Sequence, residues 1–447
     1  MILWRIGNRG KTVSLWLLLL ASYVFYAWWD YRFVPLIAFV TVINWYAGVQ
    51  MERAQTRRRK RIILAVTVAF TLLPLFFCKY YPWLGSYLES IIPASEQGRY
   101  AGFLSRIILP VGISFYTFQA LSYSIDLYHG NCAFCPSLVK FSAFVSMFPQ
   151  LVAGPIIRFT DIDAQLERID KIRDEANYVE GMELFFRGLV KKVFFADRLG
   201  TLVDPAFAVN AHLDTGIAWA SILGYSLQIY FDFSGYTDMA IGIGRCLGFS
   251  FPENFRAPYT ARNPAEFWRR WHITLSTWLR DYLYIPLGGN RGNKFFTSRN
   301  LMITMLLGGL WHGAAWTFLF WGLWHGLLLL VHRLSPEDIR KKIPAWLAIL
   351  LLNAGVIVGW VFFRVHTMRQ AGDFLRAMCG FGVSMSYLIP WQLLWLIPIG
   401  YLFHFMERRY LDMPFRMKKI YALGFAMISA YTILELGRDT PFIYFQF

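Results

Sequence analysis

Residues 300–331, NLMITMLLGGLWHGAAWTFLFWGLWHGLLLLV, are the most apolar stretch of the chain and decide its fold class. From position 301 onward the only ionisable side chains in it are those of His312 and His325, each inside a Trp-His-Gly tripeptide. A membrane helix needs about 20 mainly apolar residues, so the stretch predicts a membrane protein. Ionisable groups at membrane depth are costly and usually line a working cavity, which favours a membrane enzyme over a passive scaffold.

This stretch is too long for one straight span. A single helix would run about 46 Å at about 1.5 Å per residue, whereas the hydrocarbon core is about 30 Å thick. We therefore expect the stretch to break or to tilt, with Gly308-Gly309 and Gly313 as the candidate break points. In an unbroken helix His325 would lie about 20 Å along the axis from His312, too far for the two to share one proton-transfer site or one metal.

The whole chain has the composition of a membrane protein. Of its 447 residues 56% are hydrophobic and 16% are charged, against about 25% charged in soluble proteins, and the mean hydropathy is +0.40. Apolar runs of spanning length recur at 13–29, 33–50, 62–81, 103–128, 138–154, 182–207, 217–247, 300–331, 344–364, 387–406 and 418–436. We predict an all-α polytopic bundle of about 10–12 spans, with residues 1–447 forming a single membrane domain.

The net charge of +16 comes from bases clustered in short connectors between the apolar runs. Residues 52–61, ERAQTRRRKR, hold six bases and one acid. This is the positive-inside pattern, so we place that connector and the N-terminal Arg5, Arg9 and Lys11 in the cytoplasm. The turn at 30–32 then falls outside, and we expect no nucleic-acid partner.

Metal, redox and nucleotide-driven chemistry are poorly supported by the residues. The pair Cys132 and Cys135 is a lone CxxC, for which a plain loop is the simpler interpretation and a zinc or redox role the alternative. The sequence has no HExxH, Walker loop, GxGxxG or GxSxG motif, which argues against a metalloenzyme, an ATP-driven pump and a self-contained serine hydrolase. We expect no metal and no bound cofactor.

Two stretches differ from the spans. Residues 156–180 combine many charges with apolar residues at helical spacing, which predicts an amphipathic surface helix. Residues 262–288 open with the helix-start signal Asn263-Pro264 and continue with an aromatic stripe, which predicts one helix lying in the membrane interface. The stripe consists of Trp268, Trp271, Leu275, Trp278 and Tyr282. A surface anchor explains the stripe equally well, but it does not explain His272 in its middle.

His312 is the sharpest candidate for chemistry. A neutral imidazole titrates near pH 6.5 and accepts a proton from a hydroxyl at physiological pH. The flanking Gly309 and Gly313 are expected to leave space for a substrate, although a histidine bonded to a neighbouring helix fits the residues equally well. His325 competes for the role, but its apolar surroundings favour packing or support. From the residues alone, the remaining histidines are expected to be structural or interfacial: His129, His212, His272, His332, His366 and His404.

Asp232 and Asp238 lie in the apolar run 226–242, SLQIYFDFSGYTDMAIG. Buried carboxylates need partners, and we expect Arg245, Arg256 or a tyrosine hydroxyl near each of them. Orienting a histidine is one use for such a carboxylate, and joining helices by ion pairs is the other.

Several motifs together resemble the membrane-bound O-acyltransferase (MBOAT) family, and within it the bacterial alginate O-acetylase branch. They are FDFSGYTDMAIG at 231–242, EFWRRWH at 266–272, LSTWLRDYLYIPLGGNR at 275–291 and LGGLWHG at 307–313. LPVGISFYTFQ at 109–119, FPQLVAGP at 148–155 and PFIYFQF at 441–447 are similar too. The resemblance covers nearly the whole chain, and the motifs are highly specific as a set.

This resemblance implies a bundle with interfacial or re-entrant helices around a central tunnel in the bacterial cytoplasmic (inner) membrane. It implies that His312 is the active-site histidine and that His272 lies at or near the same tunnel. It also implies a partner, an exported SGNH-type acetyltransferase that finishes the transfer to a polysaccharide. Members of this branch usually carry a further apolar segment before the run that matches 13–29, so a shorter N-terminus is expected here.

We therefore expect acetyl transfer from a cytosolic thioester, most simply acetyl-CoA, with His312 as general base on the acceptor hydroxyl. A nearby donor, either His272 or the pair Arg269 and Arg270, is expected to steady the oxyanion, which is worth roughly 3–4 kcal/mol per donor in known cases. The expected tunnel or supporting residues are Asp232, Asp238, Glu266, Arg269, Arg270, Trp311 and His325.

Two rival functions fit the residues less well. A proton-coupled transporter or flippase for a cell-envelope glycan precursor would use the intramembrane His and Asp residues as a proton relay. A membrane anchor that only holds a periplasmic enzyme would have no use for His312, and its substitution would be silent.

Overall fold

The computed structural model contains helices and connecting turns, and no strand, within the residues it describes. These residues are 10–91, 93–172, 177–208, 213–382, 389–411 and 428–433. The prediction of an all-α membrane protein is confirmed. Several sequence features lie outside the described residues, namely Arg5, Arg9, His212, most of the predicted span 418–436 and the closing motif 441–447.

The helices are separated by short turns and by several π-helical segments. The first group is α1 (Lys11–Asp30), α2 (Val34–Arg53), α3 (Arg57–Leu75), α4 (Tyr81–Leu88), α5 (Ala94–Leu104), α6 (Ile113–His129), α7 (Leu138–Ser146), α8 (Phe159–Glu167) and α9 (Tyr178–Leu189). The second group is α10 (Arg198–Val203), α11 (Thr215–Cys246), α12 (Pro264–Trp268), α13 (Ile273–Leu279), α14 (Lys294–His312), α15 (Trp316–Leu334), α16 (Glu337–Lys342), α17 (Ala345–Arg364), α18 (Met368–Arg376) and α19 (Trp391–Leu411).

The chain divides into two compact units. The first unit comprises Met1–Phe185 with Ala240–Pro252, and the second comprises Phe186–Met239 with Glu253–Phe447. All the candidate site residues lie in the second unit, and the prediction of a single domain stays a prediction.

Four helical stretches of the described chain are long and apolar enough to cross a membrane: Lys11–Arg53, Arg57–Leu88, Trp316–Leu334 and Ala345–Arg364. The predicted span 138–154 is wrong as a continuous helix. There α7 ends at Ser146 after 9 residues, and 9 helical residues reach only about 14 Å. The predicted number of spans stays a prediction.

The apolar stretch that opened the sequence analysis forms a helical hairpin. Its first arm, α14, ends at His312, and its second arm, α15, begins at Trp316. The break falls at Gly313 as predicted, whereas Gly308 and Gly309 lie inside α14. The arms pack so closely that a Cβ on Gly309 would collide with the carbonyl oxygen of Phe318 on the other arm. Small residues permit such close backbone approach between membrane helices.

The two predicted amphipathic helices are shorter than expected. In 156–180 the described helix is α8, and the spaced residues Ile162, Leu166, Ile169 and Ile172 are buried as the pattern predicts. The single interfacial helix predicted over 262–288 is wrong. It is interrupted at His272, whose φ of 42° and ψ of 55° belong to the left-handed region, so α12 and α13 are separate short helices. A non-glycine residue adopts this conformation only when its surroundings hold it there.

Candidate active site

His312 is the last residue of α14 and is buried, with 4% of its surface exposed. Aromatic rings surround it, with the centroids of Trp311, Trp321 and Phe363 lying 5.0, 5.0 and 5.1 Å from its own. The C-terminal turn of a helix carries partial negative charge, which stabilises a nearby cation by about 0.3–1 kcal/mol. His312 thus lies at the negative end of the α14 dipole, among aromatic side chains.

His272 lies between α12 and α13 and is fully buried. Its Nδ1 is 3.1 Å from Oδ1 of Asn254, and its ring packs edge-on against Phe233 at 4.7 Å between centroids. His272 lies outside the candidate membrane-spanning segments. Burial lowers its pKa to about 3. The ring is therefore neutral at physiological pH.

The structure places these two histidines beside each other. The ring centroids of His272 and His312 are 6.4 Å apart, and Trp311, which is 4% exposed, packs against both. We call His272, His312 and the rings around them the imidazole site. Their catalytic roles stay predictions.

His325 is much closer to this site than an unbroken helix would allow. Because the hairpin turns at Gly313, Trp321 packs against both histidines. Its ring centroid is 5.0 Å from that of His312 and 4.8 Å from that of His325. The separation of about 20 Å applies only to an unbroken helix, and the hairpin brings the two imidazoles closer together than that. His325 is 1% exposed, and a Cβ on Gly359 would lie 2.8 Å from its Nε2. Its role as a supporting residue stays a prediction.

The glycines that flank His312 do not open space for a substrate. A Cβ on Gly313 would overlap the ring of Phe318, just as one on Gly309 would meet that residue's carbonyl oxygen. The second arm of the hairpin occupies the space beside both glycines. The expectation that they make room for a substrate is corrected, because close helix packing takes the space.

Asp232 and Asp238 are buried as predicted, and the ion pairs described for them involve other cations than the two expected arginines. Asp238 pairs with Arg187 at 3.0 Å and with Lys191 at 2.7 Å, and Asp232 pairs with Lys192 at 2.7 Å. The expected arginines are engaged elsewhere. Arg245 faces Glu180 at 3.8 Å, and Arg256 faces Glu253 at 3.9 Å.

Lys191 also contacts the carboxylate of Glu407, which accepts a hydrogen bond of 2.5 Å from the hydroxyl of Tyr230. We call Arg187, Lys191, Asp238 and Glu407 the ion cluster. Sequence reasoning missed three of its four members. One available signal was the spacing of Arg187 and Lys191, which are four residues apart in an apolar run and so share one helix face.

Glu266 and Arg270 form hydrogen bonds that hold the segment preceding His272 in place. Arg270 donates to Oε1 of Glu266 at 2.5 Å and to Oγ1 of Thr260 at 2.7 Å. The other carboxylate oxygen of Glu266 accepts from the backbone N–H of Arg262 at 2.8 Å. Arg269 is exposed. The predicted role of this pair at the oxyanion stays a prediction.

Sequence reasoning also missed Asn254, Trp321 and Phe363. Trp321 had a signal, since it precedes His325 by four residues and so lies on the same helix face. Asn254 and Phe363 reach the site only through tertiary packing. Among the described residues no three His, Cys, Asp or Glu side chains are grouped as metal ligands, and Cys132 and Cys135 are free thiols.

The chain is similar in sequence to known membrane-bound acyltransferases. The profile of the membrane-bound O-acyltransferase family matches residues 135–349. The "Probable alginate O-acetylase AlgI" of Pseudomonas aeruginosa is 46% identical over 393 residues, which cover 87% of this chain and 72% of the relative. The "Peptidoglycan O-acetyltransferase" of Helicobacter pylori is 38% identical over 406 residues, covering 84% and 75%. The "Teichoic acid D-alanyltransferase" of Bacillus subtilis is 28% identical over 259 residues, covering 56% and 62%.

The chain belongs to the membrane-bound O-acyltransferase family. It is accordingly an O-acyltransferase and a membrane protein. The matched range contains both histidines of the imidazole site, whereas Glu407 of the ion cluster lies beyond it.

Proposed function

We propose that this enzyme passes an acetyl group from a cytosolic thioester, most simply acetyl-CoA, toward O-acetylation of an extracytoplasmic polysaccharide. The names of the two more similar relatives, an alginate O-acetylase and a peptidoglycan O-acetyltransferase, support glycan acetylation. The +16 charge and the exposed basic connector 52–61 fit a cytoplasmic face that meets an anionic donor.

His312 acts as the general base in this proposal. The observation that carries it is a buried imidazole at the C-terminus of α14, surrounded by aromatic rings and next to the imidazole of His272. The acceptor hydroxyl gives its proton to His312 while its oxygen bonds to the acyl carbon. The carbon–sulfur bond then breaks, and the thiolate takes the proton from the imidazolium.

The surroundings of the reaction follow from the family branch. We propose that the chain crosses the bacterial inner membrane several times, surrounded by lipids. An exported SGNH-type acetyltransferase then receives the acetyl group and completes its transfer to the glycan. No resident cofactor is needed, because the thioester is a substrate.

Replacing His312 tests this proposal directly. His312→Ala should lower acetyl transfer by roughly 10²- to 10⁴-fold, the range that general bases contribute. The assay follows the thiol released from acetyl-CoA by the full chain in membranes, with expression and thermal unfolding as controls for folding.

His366→Ala is the matched control, because that histidine is exposed and lies outside the site. Unchanged activity of the His312 variant would contradict the proposal and favour a membrane anchor. Proton-coupled movement of a glycan precursor without acetyl turnover would favour a transporter.

A further inference from the structure

The hydrogen bonds around Asn254 define the protonation of His272. Asn254 is fully buried, and its Oδ1 lies 3.2 Å from the backbone N–H of Thr274 and 2.9 Å from the hydroxyl of the same residue. A backbone N–H only donates, so the atom that faces it must be the amide oxygen. The amide orientation therefore follows from chemistry, even though oxygen and nitrogen look alike in shape.

This orientation fixes the tautomer of the histidine. The same Oδ1 is 3.1 Å from Nδ1 of His272, and an amide oxygen only accepts hydrogen bonds. Nδ1 must therefore carry the proton. In a neutral ring the other nitrogen, Nε2, then has a lone pair and no hydrogen. The low pKa of His272 is consistent with a neutral ring.

The backbone holds this arrangement in place. The carbonyl of Asn254 accepts a hydrogen bond of 2.9 Å from the N–H of Ile273, directly after the left-handed residue His272. Asn254 thus binds three consecutive residues, and its contact with Nδ1 is the one that acts on the imidazole itself. A strained backbone conformation that its surroundings hold in place is typical of functional sites.

The choice of an amide at this position is informative. The amide nitrogen of Asn254 is buried without a hydrogen-bond partner among the described residues, which costs about 1–3 kcal/mol. An aspartate would accept the same three hydrogen bonds and leave no orphaned donor. It would also place a negative charge beside the imidazole and favour its protonated form. The amide fixes the tautomer while keeping the ring neutral.

We propose that Asn254 is a positioning residue that holds His272 in the Nδ1–H tautomer. Nε2 can then accept a hydrogen bond from the group that receives the acyl chain. This inference rests on the proposed acyl transfer. In this tautomer Nε2 of His272 can accept a hydrogen bond from an O–H or N–H group. It has no proton to donate, so the neutral ring cannot stabilise the oxyanion. Other N–H groups of the site must then meet the oxyanion.

Two substitutions of Asn254 test the assignment in the full chain, with acetyl-CoA as the probe. Asn254→Leu removes the acceptor, so kcat should fall by roughly 10²-fold, the lower end of what acid–base residues contribute, with little change in KM for acetyl-CoA. Asn254→Asp keeps the acceptor and should retain most activity at alkaline pH. Its acid limb should move to higher pH, because the raised pKa keeps His272 protonated over a wider range.

Thr274→Val is the matched control. It removes the hydroxyl that donates to Oδ1 of Asn254 but keeps the backbone N–H that orients the amide. The value of kcat should therefore stay within about threefold, and the acid limb should not move. A merely structural role for Asn254 predicts the opposite pattern, in which the aspartate and leucine variants lose activity together and neither pH profile shifts. That result would overturn the proposal, as would wild-type turnover by Asn254→Leu.

A second measurement covers variants that fail to fold. In the wild-type chain labelled with ¹⁵N-histidine, NMR distinguishes protonated from unprotonated ring nitrogens, and His272→Asn identifies the signals. We expect a protonated Nδ1 and an unprotonated Nε2, and the reverse tautomer would overturn the inference. This outcome does not depend on acetyl transfer, so it separates failure of the inference from failure of the proposed function.

Discussion

The imidazole site and the ion cluster are both buried in the second unit, yet they are built in opposite ways. The imidazole site contains two histidines among aromatic rings. The ion cluster contains two cations and two carboxylates that compensate one another. Removing one member of a buried ion pair leaves an uncompensated charge, whereas removing a neutral side chain does not. Substitutions in the ion cluster should therefore affect stability first, and substitutions of the site histidines should affect activity first.

The largest stability effect should come from Lys191→Met. Lys191 is 1% exposed and contacts both Asp238 and Glu407. Its loss leaves Glu407 buried without its cation, which typically costs about 3–5 kcal/mol. The free energy of unfolding in detergent should fall by that amount, while the protein that remains folded keeps its turnover number.

The double variant Lys191→Met with Glu407→Gln is the control for this comparison. It leaves Arg187 paired with Asp238 and removes the second charge pair entirely. More than half of the lost stability should return, because neutral replacements of a whole pair are often tolerated. If the double variant is as unstable as the single variant, then Lys191 and Glu407 are not energetically coupled.

An intermediate effect is expected in the hairpin that carries His312. Gly309→Ala puts a methyl group against the Phe318 carbonyl, and overpacking of this kind costs about 1–3 kcal/mol. Gly308→Ala is the matched control one residue away, where the new methyl would meet only the flexible tip of Leu279 at 3.1 Å. Thermal unfolding should separate the two variants. Equal stability would mean that the arms are less closely packed than described.

The smallest effect should come from an exposed ion pair. Hydrogen bonds from Lys11 and then Lys140 lower the pKa of Glu167, which is 47% exposed. The carboxylate therefore adds stability above its ordinary pKa, and this stability is lost as the pH falls through the lowered value. Glu167→Gln should cost at most about 1 kcal/mol at neutral pH because solvent screens the pair. The difference from wild type should vanish in acid, and a difference that persists there would contradict the assignment.

The sequence predicted the features that depend on composition and local pattern. The run around His312 predicted a helical membrane protein and named Gly313 as one of two candidate break points, because hydrophobicity and glycine act locally. The burial of Asp232 and Asp238 also followed from the apolar run around them. The spaced residues of 156–180 are buried for the same reason.

Features that depend on tertiary contacts were beyond the sequence. Lys191 joins Asp238 to Glu407, and no local pattern connects that glutamate to either residue. The aromatic stripe in 262–288 predicted a continuous helix, because the hydrogen bonds that hold His272 in a left-handed conformation come from Asn254, 18 residues earlier. Likewise, the distance between His312 and His325 depends on how the two arms of the hairpin pack, which their spacing in the sequence does not give.

The ion cluster also has a consequence for how the protein is made. Lys191 and Glu407 are 216 residues apart, so at about 5–20 residues per second the carboxylate is synthesised about 10–40 s after the lysine. During that interval Arg187 and Lys191 share only Asp238, and the nascent cluster carries an excess positive charge. Its burial therefore has to wait for α19, and a chain that ends before Glu407 should be recognised as incomplete by membrane quality control.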